Sequence, residues 1–518
     1  MGAESADYAK QTPNLPAVKD LANLPSRRDC TWGKRGSPRR YQRGKSFGNL
    51  CGTLTPVFPS LDNLVVTHPR HPAAFPRSFR KSFPQAVRGE GVYIWDSDGE
   101  RYLDFSGQAA VNFIGHGVPA IFEAVAAQVS QLEFVHSSQF TTSVAEDYAA
   151  ELLEFAGNHF RGGCVYFTCG GSEAIETALK LARQYQVEIG QGQRYHMLSR
   201  TQSYHGSTLG ALAVSGNARR REIYLPMARE FTHVGIPYCY RCVYSCLHGC
   251  GNCADKYAGE LEKAIELSEG EAAAFILEPV SGATLGAAVP TARYMQGIAE
   301  ICQRTGVLLI ADEVMTGMGR TGRNFAVDHW GVAPDILVAA KGLSSGYAPL
   351  GAVLASNKVV DAIANGTGAF LHGFTYNAHP LSVAAGRAVL RYMKKHDLVR
   401  AADSFESGTP ASHLKTALAT LLELPAVGDV RGIGLLWGVE FVADKTTKTP
   451  FFADLNFAGR VGDAAKKRGL LVYPMQGSVN GHSGDHLLLA PPAMITAEQI
   501  DWAVNTLREA VEEAGQSL

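Results

Sequence analysis

Apolar positions along this chain follow three rhythms. Residues 1 to about 60 are rich in Pro, Gly, Arg and Ser and sustain no apolar period, so they read as a basic Pro/Gly-rich N-terminal extension. Gly91-Val92-Tyr93-Ile94-Trp95 then runs into an Asp98-Gly99 turn, and Arg101-Tyr102-Leu103-Asp104-Phe105 returns as its partner strand. From about Ala120 to Ala369, helix-length stretches alternate with short, wholly apolar runs: Ala274-Phe275-Ile276-Leu277, Val307-Leu308-Leu309-Ile310 and Ile336-Leu337-Val338. Short runs without polar alternation predict strands covered on both faces, as in a mostly parallel sheet flanked by helices. After about His379 the order becomes helix, a strand region over Val430 to Val442, and a last helix ending near Glu513. The pattern predicts an α/β protein, with a large domain around a mostly parallel central sheet and a smaller α+β C-terminal domain. The expected boundaries are 61–119 for an N-terminal segment of the small domain, 120–375 for the large domain with a Cys-rich insertion at 238–254, and 376–518 for the C-terminal small domain.

Composition narrows the classes of function. Over 518 residues, 48 Lys and Arg almost balance 49 Asp and Glu, which removes the electrostatic footprint of a dedicated nucleic-acid binder. No run of about 18 apolar residues occurs, so no membrane span is expected. The basic excess is confined to Arg27–Lys45, where eight Lys and Arg stand against Asp29 alone. The first residues lack the flanks of a secretory signal, so a cytoplasmic location is expected, or a mitochondrial one if the basic extension is a presequence.

Candidate chemistry lies at strand ends. In an open parallel sheet, ligands sit beyond the carboxyl ends of the strands. Three apolar runs end there in ionisable residues: Glu278, Asp312-Glu313 and Lys341. Asp312 and Lys341 are 29 residues apart, about one strand-helix-strand unit. A desolvated lysine can form a Schiff base with an aldehyde, and a carboxylate on the next strand can hold a protonated ring nitrogen. These are the two protein groups that pyridoxal phosphate (PLP) requires. A third element fits its phosphate: the predicted strand Val165–Thr168 leads through Cys169-Gly170-Gly171-Ser172 into a helix with Ile175, Leu179 and Ala182 on one face. The same Gly-Gly-Ser also fits a plain helix N-cap at Ser172. Gly317-Met318-Gly319-Arg320-Thr321-Gly322 has dinucleotide-loop spacing, but no apolar helix opens after it, so no dinucleotide site is predicted.

From about Gly91 to the last helix, the chain resembles the class III (omega-type) aminotransferases, PLP-dependent enzymes of fold type I. The most specific stretch runs from Val307 to Gly322, followed by Pro334-Asp335-Ile336 and Lys341-Gly342-Leu343. The resemblance implies that Lys341 is the Schiff-base lysine and proton carrier and that Asp312 pairs with the pyridinium nitrogen. It further implies that Val314 and Tyr204 cover the two ring faces, that His205 and Glu278 lie by the cofactor, and that Gly171 and Ser172 form the phosphate cup. Thr375 is expected to reach a phosphate across a homodimer interface. Arg431 is implied to grip a substrate carboxylate with its planar fork. Members of the GABA and ornithine type carry a glutamate that covers this arginine; here that position is Ala283. An uncovered arginine implies the amine/omega-amino-acid:pyruvate branch, with an amine or amino-acid donor and an α-keto acid acceptor, pyruvate. Gln108 resembles a glutamine of the dialkylglycine-decarboxylating relatives, which leaves decarboxylation-dependent transamination as an alternative; an aminomutase or racemase on the same scaffold is another. Donor choice is expected to rest on loop residues around Phe113, Gln139 and Phe140.

Five of the ten cysteines, Cys239, Cys242, Cys246, Cys250 and Cys253, fall within the insertion with His248 among them. Two C-x2-C pairs at this spacing fit structural zinc, or an iron-sulfur centre, while an insertion loop of free thiols is the plain alternative.

Overall fold

The computed structural model describes residues 73–244 and 251–516. Contacts divide the chain into two units, residues 1–81 and 82–518. In the first, residues 73–81 form no helix or strand. The extension expected over residues 1–60 lies outside the described residues.

The described residues of the second unit hold three sheets. β1 (Ala86–Glu90), β2 (Tyr93–Asp96) and β3 (Arg101–Asp104) form an antiparallel ladder in which Tyr93 faces Leu103 and Trp95 faces Arg101, the hairpin anticipated around Asp98-Gly99. The central sheet comprises β4 (Cys164–Thr168), β5 (His196–Arg200), β6 (Thr232–Val234), β7 (Ala272–Leu277), β8 (Leu308–Asp312), β9 (Ile336–Ala339) and β10 (Gly351–Ala355), in the spatial order β4-β10-β9-β8-β7-β5-β6. All pairings are parallel except those of β10, which runs against both β9 and β4. The third sheet contains the hairpin β11 (Val427–Ile433) and β12 (Leu436–Phe441), a break in what the sequence pattern joins as one strand region. β13 (Leu470–Leu471) pairs with β3, and β14 (Tyr473–Gln476) and β15 (Asp485–Leu489) complete the third sheet in the order β11-β12-β15-β14.

The apolar runs form strands because both faces of the central sheet are covered. Ala274, Ile276, Leu308, Ile310, Ile336 and Val338 pack with Ala174, Ile175, Ala178 and Ala182 of the helix Gly171–Glu188. Their alternates Phe275, Leu277, Leu309, Ala311, Leu337 and Ala339 pack on the other side with Tyr294, Met295 and Ile298 of the helix Ala292–Thr305. This period of two, with both phases apolar, fixes the register, since a one-residue slip would exchange two different helix-facing surfaces. The consequence for function is alignment: Asp312 ends β8 while Glu278 and Lys341 follow β7 and β9, all at one edge. Among the described residues, no helix is long and apolar enough to cross a membrane.

Candidate active site

That edge opens into a cavity of about 470 Å³. Lys341 enters it from the turn after β9 with φ 44°, a left-handed backbone that is uncommon for a residue bearing a Cβ. Desolvation lowers its ammonium pKa from 10.5 to about 8, against the opposing pull of Asp312 and Glu278. Asp312, 4% exposed, faces the same space from the end of β8. One of its carboxylate oxygens meets His205 Nδ1 at 2.7 Å, and the other accepts from the Val314 amide at 3.1 Å. His205 Nε2 is buried with no hydrogen-bond partner among the described residues. Glu278, also buried, accepts from the Gly282 amide at 2.9 Å and the Tyr204 amide at 3.3 Å, and burial holds its carboxyl above the ordinary range.

On the opposite wall, Gly171 and Ser172 open the helix Gly171–Glu188. Ser172 lies inside that helix, so the N-cap alternative fails: the cap position is Gly170, and the Ser172 hydroxyl accepts from the Ser207 amide at 3.0 Å. Close backbone approach explains the glycines. A Cβ on Gly171 would stand 3.1 Å from Val314 Cγ1, and one on Gly206, at φ +144°, would stand 2.7 Å from Ser172 Oγ. A helix start with unpaired amides, no side chains in the way and a buried acid at the far end is the donor set that PLP needs: an anion cradle, a partner for a ring N–H, and an amine. The residues fit the cofactor.

Not every implied residue joins this cavity. Gln108 points to Asp104, its amide nitrogen 3.2 Å from the carboxylate, and does not line the space, so the dialkylglycine alternative gains no support. Thr375 is exposed in a loop that does not line it either. Phe113 is 1% exposed beneath the guanidinium of Arg320, and Phe140 is on the surface. Arg431 departs most from expectation. It is not uncovered: it pairs with Asp429 at 2.8 Å and Glu440 at 2.9 Å and donates to the Leu285 carbonyl, and it does not line the cavity, whereas Ala283 does. The acid that covers it stands on β12, too far along the chain for a spacing rule to find.

A family model described as Aminotransferase class-III matches residues 75–511. This chain belongs to the class III aminotransferases. It is 38% identical over 439 residues to an uncharacterized aminotransferase of Bacillus subtilis, covering 84% of this chain and 97% of that one. It is 34% identical to the adenosylmethionine-8-amino-7-oxononanoate aminotransferase of Geobacter sulfurreducens, covering 86% and 95%. Among solved structures, an amine transaminase from an uncultivated Pseudomonas species in its PLP-bound form matches with a TM-score of 0.78 at 35% identity, covering 86% of this chain and 98% of that one.

In this aminotransferase, two groups to which the sequence pattern assigns no framing role carry the site's frame. The glycine-rich Gly317–Gly322 turn holds Arg320, which is 2% exposed and donates to the carbonyls of Asn112 at 2.8 Å, Ala490 at 3.1 Å and Pro491 at 2.6 Å. Its signal was a charged residue between glycines, which the eye reads as surface. Gly107, Gln108, Ala109 and Ala110 form a left-handed turn that delivers Val111 to the cavity. The metal expectation finds no support: among the described residues, no group of three or more His, Cys, Asp or Glu is arranged to hold an ion. Cys239, Cys242 and Cys253 are described, whereas Cys246, His248 and Cys250 lie outside the described residues.

Proposed function

We propose that this class III aminotransferase moves an amino group from an amine or amino acid to an α-keto acid, pyruvate, in a ping-pong exchange centred on Lys341. The observation that carries the reading is the convergence of Lys341, Asp312 and the Gly171-Ser172 helix start on one cavity. PLP, when bound, supplies an electron sink for the carbanion formed at the donor carbon. Lys341 would hold its aldehyde and Asp312 its ring N–H, with His205 fixing the Asp312 carboxylate. Gly171 and Ser172 would hold the phosphate, Tyr204 and Val314 would cover the ring, and Thr375 would serve the phosphate of a second copy in a homodimer. The Lys341 amine, when not bonded to the cofactor, would take the proton from the amine-bearing carbon, and a pKa of about 8 leaves roughly a fifth of it neutral near pH 7.4, against well under a hundredth for an ordinary lysine.

The small keto acid is favoured by the wall chemistry. Lys341 and His205 are the basic side chains among the described residues lining the cavity, and both face Asp312 or Glu278. A second, distal carboxylate such as that of 2-oxoglutarate has no cation there to meet. Lys341→Ala is expected to abolish both turnover and the visible absorbance of the bound cofactor; retention of both refutes the site. Initial rates with pyruvate and 2-oxoglutarate at one amine concentration test the acceptor, and a large excess with 2-oxoglutarate overturns it.

A further inference from the structure

Beside the cavity stands an arginine that the transamination steps do not use. Arg220 lies in the short helix Ala218–Arg221, whose cap, Asn217, accepts from the Arg220 amide at 3.2 Å. Its guanidinium lies 4.4 Å from the centre of the Tyr204 ring, within cation–π reach. It makes neither an ion pair nor a hydrogen bond among the described residues, whereas the neighbouring Arg219 donates to Gln476 Oε1 at 3.2 Å. Tyr204 lines the cavity and Arg220 does not, so the cation backs the ring from outside.

Both partners sit on one bracket. The Ser203 carbonyl accepts from the amides of Gly216 and Asn217, each at 3.1 Å, and the Asn217 side-chain amide donates to Gln202 Oε1 at 3.2 Å. Gly216 permits this approach, because a Cβ there would stand 2.1 Å from the Arg200 carbonyl oxygen. Gln202 holds φ 59°, a left-handed backbone sustained by these clamps and by its own bond to the Gly477 carbonyl at 2.9 Å. The Tyr204 hydroxyl is tethered too, 2.8 Å from Ser207 Oγ. A half-buried tyrosine has ring torsions to lose, and a fixed cation over one face removes that freedom before anything packs on the other.

We propose that Arg220 is a positioning residue, a cation that holds the Tyr204 ring as a fixed wall for the cofactor ring. The proposal rests on the PLP reading above and assigns the outer support of that wall. An arginine waiting for a substrate carboxylate would stand in the cavity lining, and this one does not. Its charge is nevertheless felt inside: desolvation is the chief cause of the lowered Lys341 pKa, and Arg320 and Arg220 add to it.

The test is a double-mutant cycle on PLP retention, with the dissociation constant read from the visible absorbance of the holoenzyme after dilution. Arg220→Met is expected to raise that constant about fivefold in the wild-type background, and to leave it within about 1.5-fold in a Tyr204→Leu background, where no ring remains to be held. An equal rise in both backgrounds means that Arg220 acts through another group, and an unchanged constant in the first means that it does not act; either overturns the proposal. So does a raised KM for pyruvate with PLP retention unaltered, the mark of a substrate receptor. If Arg220→Met fails to fold, Arg220→Gln, which also removes the cation, decides by the same cycle. Wild-type protein that binds no PLP removes the cofactor reading itself, and the proposal with it.

Discussion

Lys341 shows how one side chain's chemistry is set by its address. An exposed lysine keeps its proton to about pH 10, but enclosure by the cavity walls brings this one to about 8, and the carboxylates of Asp312 and Glu278 keep it from falling further. Only the neutral amine attacks an aldehyde. The rate at which cofactor-free protein reloads PLP should therefore climb with pH to about 8 and level off beyond it, followed by the growth of visible absorbance. A rate still rising at about pH 10 would mean an ordinary lysine. Lys341 and Asp312 were legible in the sequence because each closes an apolar run. Glu278 was legible in the same way, but the contact that fixes Asp312 was not readable from spacing: His205, named only through the resemblance, reaches it across 107 residues.

The left-handed turn Gly107–Ala110 makes an argument at the scale of an element. Each L-residue held there costs roughly 1 kcal/mol, so the turn persists only because its surroundings demand it. Asp104 supplies part of that demand, accepting from the Gln108 amide at 3.2 Å, the Ser106 hydroxyl at 2.9 Å and His116 Nε2 at 3.1 Å. Gly107 cannot be replaced: at φ +55° a Cβ would stand 2.3 Å from the Ala490 carbonyl oxygen. Gly107→Ala is expected to cost about 3 kcal/mol or more in urea unfolding, whereas Ala109→Gly, relieving φ +63°, should be neutral or stabilise by about 0.5 kcal/mol. Equal losses in the two variants would show that the backbone hand is not what matters. Periodicity could not have found this turn, because a reversed hand leaves the order of apolar and polar residues unchanged.

For the molecule as a whole, Arg320 is the brace that ties the region after β8 to the segments after β3 and after β15, through the carbonyls of Asn112, Ala490 and Pro491. Arg320→Met keeps most of the stem but strands those acceptors, and a loss of about 3–5 kcal/mol in denaturant stability is expected; a loss under about 1 kcal/mol would demote it to a spectator. Strand identity in the central sheet was legible because β7, β8 and β9 are buried on both faces. Strand direction was not, and β10 is the case in point: its Gly351–Ala355 run reads like its parallel neighbours yet runs the other way. That reversal shapes the site. The chain leaves β9, passes Lys341 and re-enters the sheet next door, with Ala352 paired to Ala339. Ser345 and Tyr347 fasten the intervening arc to the amides of Phe113, Ile114 and Val118. Both ends of the arc are thus anchored in adjacent strands, like a bracelet closed on a fixed clasp. Its circumference leaves no slack, so one residue added or lost between Gly342 and Leu350 would move the reactive amine as surely as a change of the lysine itself.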